Sequence, residues 1–159
     1  MELHAQLEPL KALIGTWRGN GAGHYPTITS FEYTEELTFT NVGKPFLVYQ
    51  QETWSPTGSP MHIETGYLRH PAPGVIEFVL AQPTGQTELA EGTITESDGG
   101  FTISLQARIM NAGTAKTVDA TEREYTLSGD GLVTSFGMAA VGQPMGNHLR
   151  SQLARNIGE

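Results

Sequence analysis

Apolar residues near the N-terminus recur at the spacing of a helix. Leu3, Leu7, Leu10 and Ile14 are separated by four, three and four residues, so they share one helical face. Gly15 follows directly, and glycine commonly ends a helix. The pattern predicts one short N-terminal helix that packs its apolar face against the core.

Beyond this helix the spacing of apolar positions shortens to about two residues, which is typical of half-buried strands. These stretches are rich in Thr, Val, Ile, Phe and Tyr, and turn sequences such as Pro71–Gly74 and Ser128–Gly131 separate them. A last stretch, Leu149–Asn156, fits either a strand or a helix. The predicted strands are Thr16–Tyr25, Ser30–Val42, Pro45–Trp54, His62–His70, Val75–Gln82, Thr87–Glu96, Phe101–Ile109, Thr117–Leu127 and Leu132–Val141.

The short connections decide the fold class. Parallel strands need long crossover connections, so about ten strands joined by tight turns predict antiparallel pairing in a barrel or a sandwich. A single helix could cover one end of a barrel, and glycines inside strands, such as Gly19, Gly21 and Gly66, suit the bends that closure requires. We therefore predict an all-β, antiparallel, up-and-down β-barrel whose interior is a ligand pocket, with the sandwich as the alternative.

Composition narrows the function classes. The 159 residues are expected to form one domain, residues 1–159. Nine basic against 17 acidic residues give a net charge of −8, which disfavours nucleic acid as a partner. The chain has no cysteine, which excludes thiol catalysis and cysteine-bound metal sites. No apolar run is long enough for a membrane helix and no secretory signal precedes the first helix, so we expect a cytoplasmic protein.

The five histidines are scattered along the chain. None is paired at the spacing of metal ligands, so a zinc site, which needs three or four protein ligands, is poorly supported. Haem is different, because the porphyrin fills four positions and the protein adds one axial ligand. His148 follows a Gly- and Pro-rich turn and opens the last apolar segment, although a lone histidine is more often a surface or core residue. His4, His24 and His70 are expected at the surface.

The segment Gly15–Gly21 reads G-x-W-x-G-x-G. In a strand, Trp17, Gly19 and Gly21 share one face. One interpretation is a large aromatic residue packed under the helix, with glycines where the backbone is crowded. The other is a bare glycine face that lets a flat ligand approach the barrel wall.

Several segments, in this order, closely resemble the nitrobindin family of haem-binding β-barrels. They are Gly15–Gly21, Gly23–Ile28, Gly43–Phe46, His62–Arg69 and Val141–Leu149. The resemblance implies a ten-stranded barrel, similar to fatty-acid-binding proteins, with ferric haem b at one open end. It implies that the protein isomerises peroxynitrite to nitrate and binds nitric oxide at an open coordination position of the iron. It also permits a homodimer.

The resemblance also implies site residues. It makes His148 the axial iron ligand and catalytic residue, and it places Thr27 in contact with haem. Residues at positions that line the family's haem cavity are Met61, His62, Gln82 and Met138. Lys116 is a further candidate, because a cation at the rim could pair with a haem propionate.

Two other functions use the same barrel. A lipocalin-like carrier of a fatty acid or another apolar ligand would need no role for His148. A nitric-oxide sensor would use the haem but pass a signal to a partner. His148→Ala separates the carrier from the haem protein, because it should remove or shift the haem absorption band only in the latter.

Overall fold

The computed structural model describes residues 1–25, 28–140, 142 and 145–156, without the side chains of residues 25, 28, 29, 147 and 148. A 3₁₀ helix, Ala5–Leu13, precedes the strands. Ten strands follow in the described part: β1 Gly15–Tyr25, β2 Ile28–Asn41, β3 Leu47–Trp54, β4 Pro60–Ala72, β5 Val75–Ala81, β6 Gln86–Ser97, β7 Gly100–Asn111, β8 Val118–Ser128, β9 Gly131–Ala140 and β10 Gly146–Arg155.

The strands form a closed antiparallel barrel in simple up-and-down order. Each strand pairs with its neighbours in sequence, and β10 pairs with β1 to close the sheet, with Gly21 opposite Ser151. This confirms the predicted all-β barrel and excludes the sandwich. The last apolar stretch is a strand, because its alternating residues Leu149, Ser151 and Leu153 point into the barrel.

The N-terminal helix covers one end of the barrel, but with a different face from the predicted one. Leu7, Leu10 and Leu13 are the fully buried residues, whereas Leu3 and Ile14 pack only partly against the core. A 3₁₀ helix has three residues per turn, so every third residue points the same way. The prediction of an α-helical face was wrong for this reason.

Trp17 and His70 attach the helix to the barrel wall by hydrogen bonds to its backbone. The indole Nε1 of Trp17 donates to the carbonyl of Leu13 at 2.9 Å, and the guanidinium of Arg155 lies 4.3 Å from the Trp17 ring centroid. His70 is buried, and its Nδ1 donates to the carbonyl of Gln6 at 2.7 Å. The expectation of a surface position for His70 was wrong, because it lies on the inward face of β4 under the helix.

The glycines of β1 make room for rings of the chain itself. A β-carbon at Gly21 would lie 2.4 Å from Cζ of Tyr33, and one at Gly23 would lie 2.3 Å from Cζ of Phe31. Both aromatic residues stand opposite these glycines on β2. The flat groups against this part of the wall are therefore Tyr33 and Phe31, so the ligand-facing surface here is aromatic rather than bare backbone.

No helix in the described ranges is long and apolar enough to cross a membrane.

Candidate functional site

A cavity of about 410 Å³ occupies the end of the barrel opposite the helix. This volume lies within the range of small-molecule sites. Its upper wall is mostly apolar and is formed by Phe31, Met61, Ile109, Val118, Phe136, Met138 and Leu149. Its floor is polar and includes Glu35, Gln51, Glu64, Glu88 and Arg123. The cavity therefore offers an apolar ring above buried charges.

The structure brings together five of the predicted site residues. Met61, His62, Gln82, Lys116 and Met138 all line this cavity, although they come from separate strands and loops. Met61 is 47 % exposed and Lys116 is exposed as well, so both lie at the rim. His62 and Gln82 lie deeper, next to the charged floor.

The two remaining predictions fall on residues that the structure does not describe in full. Thr27 lies outside the described residues, and so does the side chain of His148. The backbone of β10 is described, and its register against β9 shifts between Asn147 and Leu149. Such β-bulges are common beside active sites, where they redirect a side chain. The next residue, Leu149, lines the cavity.

The floor is organised around one buried arginine. The guanidinium of Arg123 is 6 % exposed and contacts two buried carboxylates, with Nη1 2.7 Å from Glu64 and Nη2 2.9 Å from Glu88. Further bonds run from Nη2 to Glu64, from Nε to Glu88 and from Nη1 to the hydroxyl of Tyr125. All five N–H groups of Arg123 are thereby used, and its face lies 4.8 Å from the Phe136 ring centroid.

Each carboxylate has further donors. Glu64 accepts from the Tyr49 hydroxyl at 2.8 Å and from Gln82 Nε2 at 3.0 Å. Glu88 accepts from the Thr121 hydroxyl and from the same Gln82 nitrogen, both at 3.0 Å. Burial by itself would raise the pKa of Glu64, but the charge of Arg123 and these hydrogen bonds hold it well below its ordinary value. Glu64 is therefore ionised in the folded protein.

The same electrostatics act on the neighbouring groups. Burial raises the pKa of Tyr125 to about 12, even though Arg123 opposes the shift. Burial also raises the pKa of Glu35, and its hydrogen bond from Gln51 at 2.8 Å offsets this only in part. Glu35 thus differs from Glu64: among the described residues no cation lies beside it, so burial shifts its equilibrium toward the neutral form.

The sequence interpretation did not include this network, although a signal for it is present. Glu64 shares the inward parity of β4 with Leu68, and Arg123 alternates with Tyr125 and Leu127 on β8. A charged residue at an inward position of an otherwise apolar alternation indicates a buried ion pair or a ligand site. Which carboxylate meets which cation depends on the register between distant strands.

The described residues contain no group of three or more histidine, aspartate or glutamate side chains arranged to hold a metal ion. Glu64 and Glu88 are close together, but Arg123 lies between them and takes their lone pairs.

Comparisons with known proteins agree with this geometry. Residues 6–155 match the family described as the THAP4-like, heme-binding beta-barrel domain. A protein named peroxynitrite isomerase from Nocardia farcinica is 47 % identical over 97 % of this chain and 93 % of its own length. Peroxynitrite isomerase 2 from Mycobacterium ulcerans is also 47 % identical, over 97 % of both chains.

A solved structure has the same fold. The crystal structure of Rv2717c from M. tuberculosis superposes with a TM-score of 0.94 at 46 % sequence identity, over 98 % of this chain and 99 % of that one. The family match covers nearly the whole chain, and the relatives are similar along their full length. The chain therefore belongs to the family of THAP4-like, haem-binding β-barrels, the nitrobindins.

Proposed function

We propose that the barrel binds ferric haem b at its open end and isomerises peroxynitrite to nitrate. The observation that carries the proposal is the 47 % identity to proteins named peroxynitrite isomerase over 97 % of the chain. The cavity supports it, because apolar side chains line much of it and its lining includes five residues that were predicted for a haem site.

The residues of the cavity fit a haem group by their chemistry. The macrocycle is flat and apolar, and Phe31, Met138 and Leu149 are among the apolar side chains around the upper wall. Its propionates are anionic, and the exposed Lys116 supplies a cation at the rim. The family resemblance makes an imidazole, that of His148, the expected axial ligand.

Four of the predicted residues would hold or contact the macrocycle. His148 would be the axial ligand to iron, and Thr27 would contact the macrocycle. Met61 and Met138 would pack against it. When bound, ferric haem would supply the iron chemistry that converts peroxynitrite to nitrate, and it would also bind nitric oxide. The barrel would hold the macrocycle and set the polarity beneath it.

The carrier alternative is disfavoured by the floor of the cavity. A fatty acid in a barrel of this type needs a cation for its carboxylate. Arg123 is the cation at the floor, but Glu64, Glu88 and Tyr125 occupy all of its donors. A carboxylate entering beside Glu64 and Glu88 would also meet like charges. A nitric-oxide sensor remains a second use of the same haem and predicts slow peroxynitrite turnover.

The proposal also covers the domain organisation, the localisation and the partners of the protein. We take residues 1–159 as one haem-binding domain, placed in the cytoplasm, that acts on a small molecule and not on nucleic acid. The net charge of −8 supports the last point, because it repels phosphate backbones. The family resemblance permits a homodimer, which sedimentation of the purified chain would test.

Stopped-flow decay of peroxynitrite near neutral pH tests the function. Hemin-loaded wild type should accelerate the decay and yield nitrate rather than nitrite, while hemin-free protein and His148→Ala should not. His4→Ala is a matched control, since it removes a half-buried histidine at the opposite end of the barrel. A decay rate of loaded wild type equal to that of hemin-free protein would overturn the proposal.

A further inference from the structure

One histidine and one carboxylate form a pair at the junction between the cavity and its charged floor. His62 and Glu64 both point inward from β4, because they are two residues apart on one strand. His62 Nε2 lies 3.4 Å from Glu64 Oε1. The Glu64 side chain is 5 % exposed, whereas that of His62 is 38 % exposed. One end of the pair is thus buried and the other borders the cavity.

Glu64 cannot easily leave this position. Its two oxygens accept hydrogen bonds from Arg123, Tyr49 and Gln82 as well as from His62. Arg123 is itself held by Glu88 on the far side. The fixed, ionised carboxylate therefore holds the orientation of the imidazole, as a carboxylate does for the histidine of many catalytic dyads.

The pair determines which nitrogen of His62 is available. A carboxylate only accepts hydrogen bonds, so Nε2 carries the proton that is shared with Glu64. The other nitrogen, Nδ1, makes no hydrogen bond of normal length in the described part of the structure, although the Gln82 side chain lies close enough to the ring to raise its pKa. When the ring is protonated, Nδ1 becomes a donor that no described protein group uses.

The surrounding charges favour the protonated ring. Glu64 and Glu88 carry two negative charges and Arg123 one positive charge, so the network is balanced only when His62 is cationic. Burial would lower the pKa of His62, and Arg123 acts in the same direction, but Glu64 and Gln82 outweigh them and the pKa is raised. Glu35 faces the same cavity from β2, and its raised pKa favours the neutral form. Lys116 is the exposed cation at the rim.

We propose that His62, oriented by Glu64, recognises the anionic substrate in the pocket by donating its Nδ1–H to an oxygen of the anion. Glu64 is a positioning residue that acts through His62. This inference rests on the proposed function and adds the residue that recognises its anionic substrate.

The chemistry of the reaction requires charge recognition more than proton transfer. Isomerisation of peroxynitrite to nitrate conserves every atom, the charge and the number of protons. A group that attracts the anion and keeps its own proton is therefore sufficient. Without the imidazolium, an anion entering the cavity would face Glu64 and Glu88 beneath it, and Lys116 at the rim would be the remaining cation among the described lining residues, because Arg123 is already fully bonded.

The variant that tests this is His62→Gln, which keeps a polar side chain but cannot become a cation. Lys44→Gln is the matched control, because it removes one positive charge from the turn between β2 and β3 at the closed end. Glu64→Gln is less informative, since it takes a partner from the buried Arg123 and threatens the fold. All measurements use the full chain.

Azide is the probe for the hemin-loaded protein, since it is a small anion that ligates ferric haem and shifts its absorption. We expect His62→Gln to bind azide about threefold to tenfold more weakly than wild type, with the loss largest at acidic pH and shrinking as His62 deprotonates. Lys44→Gln should match wild type. Equal azide affinity of His62→Gln and wild type across the pH range would overturn the proposal.

Nitrate is the probe for the hemin-free chain, in which the result does not depend on haem. In wild type labelled on its histidine rings, nitrate should shift the His62 nitrogen resonances saturably, and chloride should do so less. Absence of any His62 shift with nitrate would contradict the proposal. Failure of the proposed function looks different: the chain would show no haem absorption band with hemin, while the nitrate response of His62 could still be measured.

Discussion

The two ends of this barrel differ in the side chains that fill the interior: they are apolar at the closed end and largely polar or charged at the open end. At the closed end, Leu7, Leu10 and Leu13 of the helix pack on Trp17 and the apolar strand residues, and all four are almost completely buried. At the open end, the interior carries Glu35, Glu64, Glu88 and Arg123 among other polar groups. The same strands contribute to both ends, so the change occurs within single strands such as β4 and β8.

This difference separates stability from function. Burying a leucine contributes about 1.5–3 kcal/mol, whereas burying a charge costs several kcal/mol unless it is paired and hydrogen-bonded. The closed end therefore accounts for stability. The charged floor contributes little net stability, so its position under a ligand cavity indicates a role in binding.

Removing the central cation should have the largest effect. Arg123→Met leaves Glu64 and Glu88 buried without a partner and should lower the free energy of unfolding by about 3–5 kcal/mol near neutral pH. Urea titration measures this. In wild type the pKa of Glu64 is held low, so its contribution exists above the ordinary value of 4.5 and is lost as the pH falls below it. The deficit of the variant should thus shrink in acid; a deficit that does not change with pH would contradict the account.

A cavity at the closed end should cost a similar amount without the pH dependence. Leu10→Ala removes a fully buried side chain and should lower the free energy of unfolding by about 2–5 kcal/mol at every pH where the barrel folds. Hemin affinity of the folded variant should equal that of wild type. A large loss of hemin affinity would show that the two ends are not independent.

A β-carbon added behind the pocket wall should have an intermediate effect. Gly23→Ala pushes the Phe31 ring toward the cavity and should cost about 1–3 kcal/mol, with weaker hemin binding. Gly113→Ala is the matched control, because a β-carbon there meets no atom within 4 Å. Hemin titration with both variants provides the comparison, and equal affinities would mean that Phe31 does not contact the ligand.

The smallest effect is expected at Glu35, the floor carboxyl that is hydrogen-bonded to neutral groups. Glu35 has a raised pKa, so the folded state holds more protons than the unfolded state above pH 4.5, and stability falls as the pH rises through this window. Glu35→Gln should remove that slope and stabilise the barrel by about 1 kcal/mol near neutral pH. Glu32→Gln, on the exposed face of β2, is the control and should leave the slope unchanged. A variant less stable than wild type at neutral pH would show that ionised Glu35 has a partner.

The sequence predicted the barrel well because its signals are local. Alternation and turn residues are read within a few positions, and nine of the ten strands overlap the ranges that alternation predicted, while the tenth lies in the stretch that fitted either a strand or a helix. The helix face was wrong because nothing in the spacing of Leu3, Leu7 and Leu10 distinguishes three residues per turn from 3.6. The burial of His70 depends on how the helix lies across the barrel end, and this tertiary packing cannot be read from local sequence.

The site likewise has residues that could be predicted from the sequence and contacts that could not. Met61, His62 and Gln82 were found through family resemblance, and the structure gathers them in one cavity. The contacts of Arg123 with Glu64 and Glu88 could not be found, because they join residues 59 and 35 positions apart and depend on strand register. Inward parity alone indicates that these residues are buried, and only the closed barrel shows that they meet.

Hemin titration of the full chain, followed by absorption, tests the central claim most directly. Wild type should develop a sharp Soret band that saturates at one hemin per chain, and His148→Ala should lose or shift that band while its folded far-ultraviolet spectrum stays intact. Identical Soret bands in wild type and His148→Ala, or the absence of a band in wild type, would contradict the account.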